Sequence, residues 1–111
     1  MDIALANGQI DRARDAAREL ASSAEEYGAT ALRAAAASAT GVVALANGDA
    51  GVATSHLRRA LRLWREAEAP YETARTRLRL AEGLAALGDT AGSELEIETA
   101  HRQLQELAPS F

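Results

Sequence analysis

The chain has 111 residues, enough for about one domain, and its apolar fraction is 28 Ala against 25 larger residues, with three Val, three Ile and four aromatics. That balance argues against β-sandwiches and barrels, whose strands need β-branched and aromatic side chains, and favours closely packed helices. With no Cys, and 12 basic residues that are all Arg, the chain lacks disulfide scaffolds, thiolate metal sites, thiol nucleophiles, Schiff-base lysines and the P-loop lysine, and a net charge of −4 is the wrong sign for a nucleic-acid binder.

In chain order, residues 1–6 read as the tail of an earlier helix, without the basic region of a leader. No apolar run approaches the roughly 18 residues of a membrane span, so no membrane association is expected. A first helix is predicted from Gln9 to Tyr27 and stopped by Gly28, and a second from Thr30 to Ala46. Three more follow: Asp49 to Ala67, Pro70 to Leu87, and Asp89 to Leu107. Asp49 and Asp89 are placed to cap free amides, and Pro70 is tolerated in a first turn. The total is five full helices plus an N-terminal tail.

The glycines of Asn7-Gly8-Gln9, Asn47-Gly48-Asp49 and Leu87-Gly88-Asp89 recur at equal intervals along the chain, which is the mark of stacked helical units. Aligned on them, Ala13, Ala53 and Ser93 coincide, followed by Ala17, Leu57 and Ile97, then Leu20, Ala60 and Ala100, then Ala24, Trp64 and Leu104. Steps of four, three and four define one helix face. The second helices carry the stripes Leu32, Ala35, Ala39, Val43, Ala46 and Tyr71, Ala74, Leu78, Ala81, Leu84. Residues 1–111 therefore read as a single domain with units of approximately 8–47, 48–87 and 88–111, all-α, built of antiparallel helix hairpins. The last unit lacks its second helix, so the chain reads as a piece of a longer array. Its open ends are expected to self-associate or to leave it marginally stable.

Leu80-Ala81, Leu84, Gly88-Asp89, Ser93, Ile97 and Ala100 resemble the pattern of tetratricopeptide repeats, with Leu, Ile or Ala in place of the usual aromatics and a longer period than is usual for the family. The resemblance implies a right-handed solenoid. The runs Leu57-Arg58-Arg59-Ala60-Leu61-Arg62-Leu63-Trp64-Arg65-Glu66 and Leu80-Ala81-Glu82-Gly83-Leu84-Ala85-Ala86-Leu87-Gly88-Asp89 are similar to the repeat region of large actinobacterial LuxR-type transcriptional regulators. In that family an ATPase module precedes the repeats and a helix-turn-helix follows them. The resemblance implies a cytoplasmic protein-binding or signal-relay module, and it allows a small-molecule inducer.

Charge is concentrated in the middle of the chain: residues 56–80 carry seven Arg against three acids, and both flanks are acidic. Arg58, Arg62 and Arg65 follow one helix face, and Arg75 and Arg79 another. They suit a docking surface for an acidic peptide, a neighbouring domain or phosphate groups. The plainer reading is a solvated face with Arg62–Glu66 and Glu72–Arg75 pairs. By the repeat resemblance the second helices line an inner groove, where Arg75, Arg79 and Glu82 face a partner segment, with Arg33 as a companion from the preceding unit. A homodimer through the terminal helices is the alternative. The arginines have no aromatic platform among them, which argues against direct nucleic-acid binding.

Neither His56 nor His101 has a His or Cys three or four residues away, so no metal site is expected. The serines lack a nucleophile-elbow context, and Glu94, Glu96 and Glu98 alternate around a helix instead of facing as a pair. No catalytic residue, cofactor or enzymatic activity is therefore expected. Trp64 and Tyr71 flank the turn at Pro70 and are expected to pack together beneath it, with an aromatic anchor for a partner as the alternative.

Overall fold

The structure, a computed structural model, describes residues 7–108, with side-chain surroundings given at residue 22 and from residue 25 onward. The described residues form four helices: α1 (Asn7–Ala46), α2 (Ala50–Glu66), α3 (Pro70–Ala86) and α4 (Thr90–Leu107). The expected helix tail at 1–6 lies outside the described residues, and so do the stripe side chains of Ala13, Ala17, Leu20 and Ala24.

Helices α2, α3 and α4 begin at equal intervals along the chain, at Ala50, Pro70 and Thr90. The chain turns the same way before each. At Asp49 and Asp89 the backbone N–H reaches back to the carbonyls of Ala44 and Leu84, 2.9 Å in both cases. The glycine just before each Asp adopts φ of +80° (Gly48) or +86° (Gly88), the left-handed geometry that closes a helix C-terminus. The Asp carboxylates then cap the next helix, accepting from Val52 N (3.3 Å) and Gly92 N (2.9 Å). The α2–α3 turn repeats the reach-back, Ala69 N to Trp64 O at 3.0 Å, but with Glu68 in the left-handed position at φ 55°. Ala69 supplies no side-chain cap there, and Pro70 opens α3.

Gly28 precedes Gly48 by the same interval, yet α1 runs through it without a break, so the expected five helices become four among the described residues. The reason is local. The other breaks pair the left-handed residue with an Asp cap or with Pro, whereas Gly28 is followed by Ala29 and Thr30 within an Ala-rich stretch. A lone glycine costs a helix only about 1 kcal/mol. A Cβ built at Gly28 meets nothing within 4 Å, so no packed neighbour forces a turn either.

Packing is between chain neighbours: α1 on α2, α2 on α3, α3 on α4, with a small contact from α1 to α3 and none between α2 and α4. The core cluster joins Ala44 of α1, Ala53 and Leu57 of α2, and Leu80 and Leu84 of α3. Leu57 and Leu80 are the largest fully buried side chains. The stripe expected on the second half of α1 is rotated: Leu32 and Val43 are 74% and 60% exposed, and Thr30, Ala34, Ala37, Gly41 and Ala44 are buried instead. Close approach selects the small residues. A Cβ at Gly41 would stand 2.7 Å from Leu57 Cγ and 3.3 Å from the Ala53 carbonyl oxygen, so α2 lies directly against the α1 backbone. On α3 the expected Ala74, Ala81 and Leu84 are buried, and Tyr71 is exposed.

Buried hydroxyls are satisfied without water. Thr30, Thr54, Thr73 and Thr76 donate to carbonyls one turn back, and Ser93 Oγ donates across to the Ala81 carbonyl of α3 at 2.8 Å. Arg77, 15% exposed at its side chain, joins α3 to α4 through Glu96 (3.0 Å) and Gln103 (3.1 Å).

The segment Glu25–Ala46 corrects the expectation about membrane-spanning length. It is 22 residues long and holds an 18-residue run of mean hydropathy 1.4, long and apolar enough to cross a membrane by length and composition. The value is an average over an Ala-rich helix in which Arg33 is the one charge after Glu26. Only 28% of that 18-residue run is buried, so much of its Ala and Val surface is open. That open surface forms one wall of the cleft described next.

Candidate functional site

The cleft, about 590 Å³, opens between α1 and α3 with α2 as its floor. Its α1 wall is small and apolar: Ala35, Ser38, Ala39, Val42 and Val43. Leu57 and Trp64 rise from the floor, and the α3 wall presents Glu72, Arg75, Thr76 and Arg79. The cleft exists because the interhelical contact surface of α1 is made of Ala and Gly. Those residues draw α2 in close and leave Val42 and Val43 on the rim instead of in the core.

Trp64 is the one tryptophan of the chain. Its indole N–H donates to Ser38 Oγ at 3.0 Å, tying α2 to α1 beneath the cleft. Tyr71 does not pack with it. The tyrosine is 55% exposed, with the Arg75 guanidinium 5.8 Å from its ring centroid. The two aromatics separate because the half-buried indole needs a hydrogen-bond partner, and α1 supplies one across the helix pair.

Of the residues singled out in the sequence, the structure brings Arg75 and Arg79 together in this cleft, one turn apart on α3. Each is held by a carboxylate of its own helix, Arg75 by Glu72 at 3.8 Å and Arg79 by Glu82 at 3.5 Å, all four side chains being substantially exposed. Pairs this open are worth at most about 1 kcal/mol, so either arginine is free to exchange its partner for an incoming anion. Glu82 reaches the cleft only through Arg79. Arg33 is elsewhere, in a smaller depression with Ala36, Thr40, His56 and Arg59, and so is not the companion of Arg75 and Arg79 that the repeat reading implied. The reason is its place on the helix: residues 35, 39 and 42 face the cleft, and 33, 36 and 40 lie along a different stripe.

Arg58, Arg62 and Arg65 line the outer side of α2 with Leu61 and Glu66, away from the cleft. The expected Glu72–Arg75 pair forms, whereas Arg62 and Glu66 are not within ion-pair distance. Ala35, Ala39 and Val43, expected as a packing stripe, line the cleft instead. Sequence reasoning passed over Val42, and Ser38 carried no signal of its role under Trp64. Near the middle of α1, the Tyr27 phenol hydrogen-bonds the Glu68 carboxylate. That negative charge, with a smaller contribution from Glu26, raises the pKa of the phenol above its ordinary value.

Among the described residues no group of three or more His, Asp and Glu could hold a metal ion. No buried side-chain polar atom among them lacks a hydrogen-bond partner. No protein-family model, curated protein or solved structure matches the chain.

Proposed function

We propose that this chain is a non-enzymatic protein-binding module that holds a segment of another protein, or of a flanking domain, in the α1/α3 cleft. The observation that carries the reading is the cleft's mixed chemistry: an apolar wall from α1, an aromatic floor, and two exposed arginines along the opposite rim. Apolar surface supplies affinity and the arginines orient an acidic or phosphorylated side chain, the division of labour of most peptide grooves. The duplicated turns at Gly48-Asp49 and Gly88-Asp89 support the finer reading as tetratricopeptide-like hairpin repeats stacked into a right-handed solenoid. The resemblance to the repeat region of LuxR-type regulators then makes the module a cytoplasmic relay between partner or inducer and transcription. A cleft of about 590 Å³ also suits a small-molecule inducer.

Trp64 makes the test direct, because the one indole sits on the cleft floor. Titration with a peptide library is expected to give saturable changes in its emission with some members. Those changes are expected to be lost in Val42→Glu and weakened at least about tenfold, or 1.4 kcal/mol, in the Arg75→Glu, Arg79→Glu double variant. Binding that survives both variants would place the docking surface elsewhere, and an inducer would show as competition by a small molecule. The relay reading is checked separately by the coding sequence on either side. An upstream P-loop and a downstream helix-turn-helix support it, and unrelated neighbours remove it while leaving the cleft's role standing.

A further inference from the structure

On the side of α2 away from Leu57 and Trp64, hence away from the cleft, stand Arg58, Arg62 and Arg65, all exposed or half-exposed at the outer surface. Helix α2 carries four Arg against Glu66, a charge of +3, and α4 carries four Glu against Arg102, a charge of −3. Both helices pack on α3, and their backbones do not come into contact. The repeat register makes them equivalent helices of opposite sign, with Arg58 and Glu98 at matching positions.

Their ion pairing is uneven as well. The arginines of α3 and α4 are all engaged: Arg75 with Glu72, Arg77 with Glu96, Arg79 with Glu82 and Arg102 with Glu98. None of Arg58, Arg59, Arg62 and Arg65 pairs with a carboxylate of the described residues. On α4, Glu94 and Glu106 are exposed, and Glu98, 73% exposed, touches Arg102 at a long 3.7 Å. Beside them Leu95 is 61% exposed, an apolar side chain of α4 with nothing over it.

We propose that two copies of this chain associate through this face, the basic α2 of each lying on the acidic α4 of the other. A two-fold axis between the helices satisfies both contacts at once, because the patch presents one helix of each sign and is therefore complementary to itself. Stacking like on like is repelled, so the charge pattern also selects the arrangement. The association covers Leu95 and leaves both clefts facing outward, which is why it extends the proposed binding role instead of competing with it.

Sedimentation velocity on the full chain tests this. At about 20 mM salt the wild type is expected to sediment as a dimer, weakening at least about tenfold at about 500 mM, where the screening length falls to a few ångströms. The double variants Arg58→Glu, Arg62→Glu and Glu94→Arg, Glu98→Arg are each expected to be monomeric, with circular dichroism confirming that both remain helical. Mixed in equal amounts they are expected to recover a dimer, since both contacts become attractive again. The proposal is overturned by a wild type that stays monomeric at low salt, by a dimer indifferent to salt, by folded variants that still self-associate, or by a mixture that stays monomeric. If a variant does not fold, the salt response of the wild type alone decides between these outcomes.

Discussion

Gly28 and Gly41 lie in one helix and have opposite roles. Around Gly28 there is open space, and the residue is exposed. Replacing it with Ala removes only the flexibility of the unfolded chain and adds a better helix former. Gly41 touches Leu57, which is fully buried and has no room to retreat. Gly28→Ala is therefore expected to raise stability by about 0.5–1 kcal/mol, and Gly41→Ala to lower it by about 1–3 kcal/mol. Urea denaturation followed by circular dichroism measures both. Equal effects from the two substitutions would mean that α2 does not approach α1 as closely as the contact implies.

The helices depend on their ends. Each Asp cap satisfies an amide of the first turn that has no partner within the helix, and the preceding glycine lets the chain leave the helix within a short turn. Asp49→Ala and Asp89→Ala are each expected to cost about 1 kcal/mol, with Asn at either site recovering most of it. Hydrogen exchange localises the loss, because faster exchange should be confined to the first turn of α2 or of α4. The α2–α3 turn has neither device, only Glu68 held in a left-handed conformation and Pro70 behind it. Pro70 is what ends α2 there, since proline cannot continue a helix through its missing amide.

Across the whole molecule, α2 is the piece that joins α1 to α3. The radius of gyration, 19.5 Å, exceeds the roughly 13 Å of a compact chain of this length, as expected for helices stacked in sequence with α1 extending to a long dimension of 65 Å. In such a stack each helix is stabilised only by its neighbours. Leu57 touches α1 at Gly41 and shares a cluster with Leu80 and Leu84 of α3, so it bridges two interfaces. Leu57→Ala is expected to cost about 2–5 kcal/mol, a large share of the roughly 5–15 kcal/mol that holds a domain of this size. Thermal melting should show one lowered transition. If instead α3 and α4 melted unchanged while α1 was released, the two interfaces would be energetically separate.

The sequence by itself determined the helical class, the starts of α2, α3 and α4, and the caps at Asp49 and Asp89, because each depends on chemistry within a short stretch of chain: Ala content, a glycine able to turn left-handed, a carboxylate just ahead of an open amide. It also marked Arg75 and Arg79, whose spacing puts them on one face of any helix. The continuation of α1 through Gly28 is local as well, since Ala29 and Thr30 bring neither an Asp cap nor a proline. Two things were decided only by the tertiary structure. Which stripe of α1 is buried was set by how closely α2 approaches, a matter of fitting two surfaces in which Ala34, Ala37 and Gly41 displaced the larger Leu32 and Val43. The separation of Arg33 from the cleft, and of Trp64 from Tyr71, followed from that rotation and from the hydroxyl of Ser38 on the opposite helix. Hydrophobic periodicity shows that a helix has a face; when most of its residues are Ala, it does not say which face a neighbour will cover.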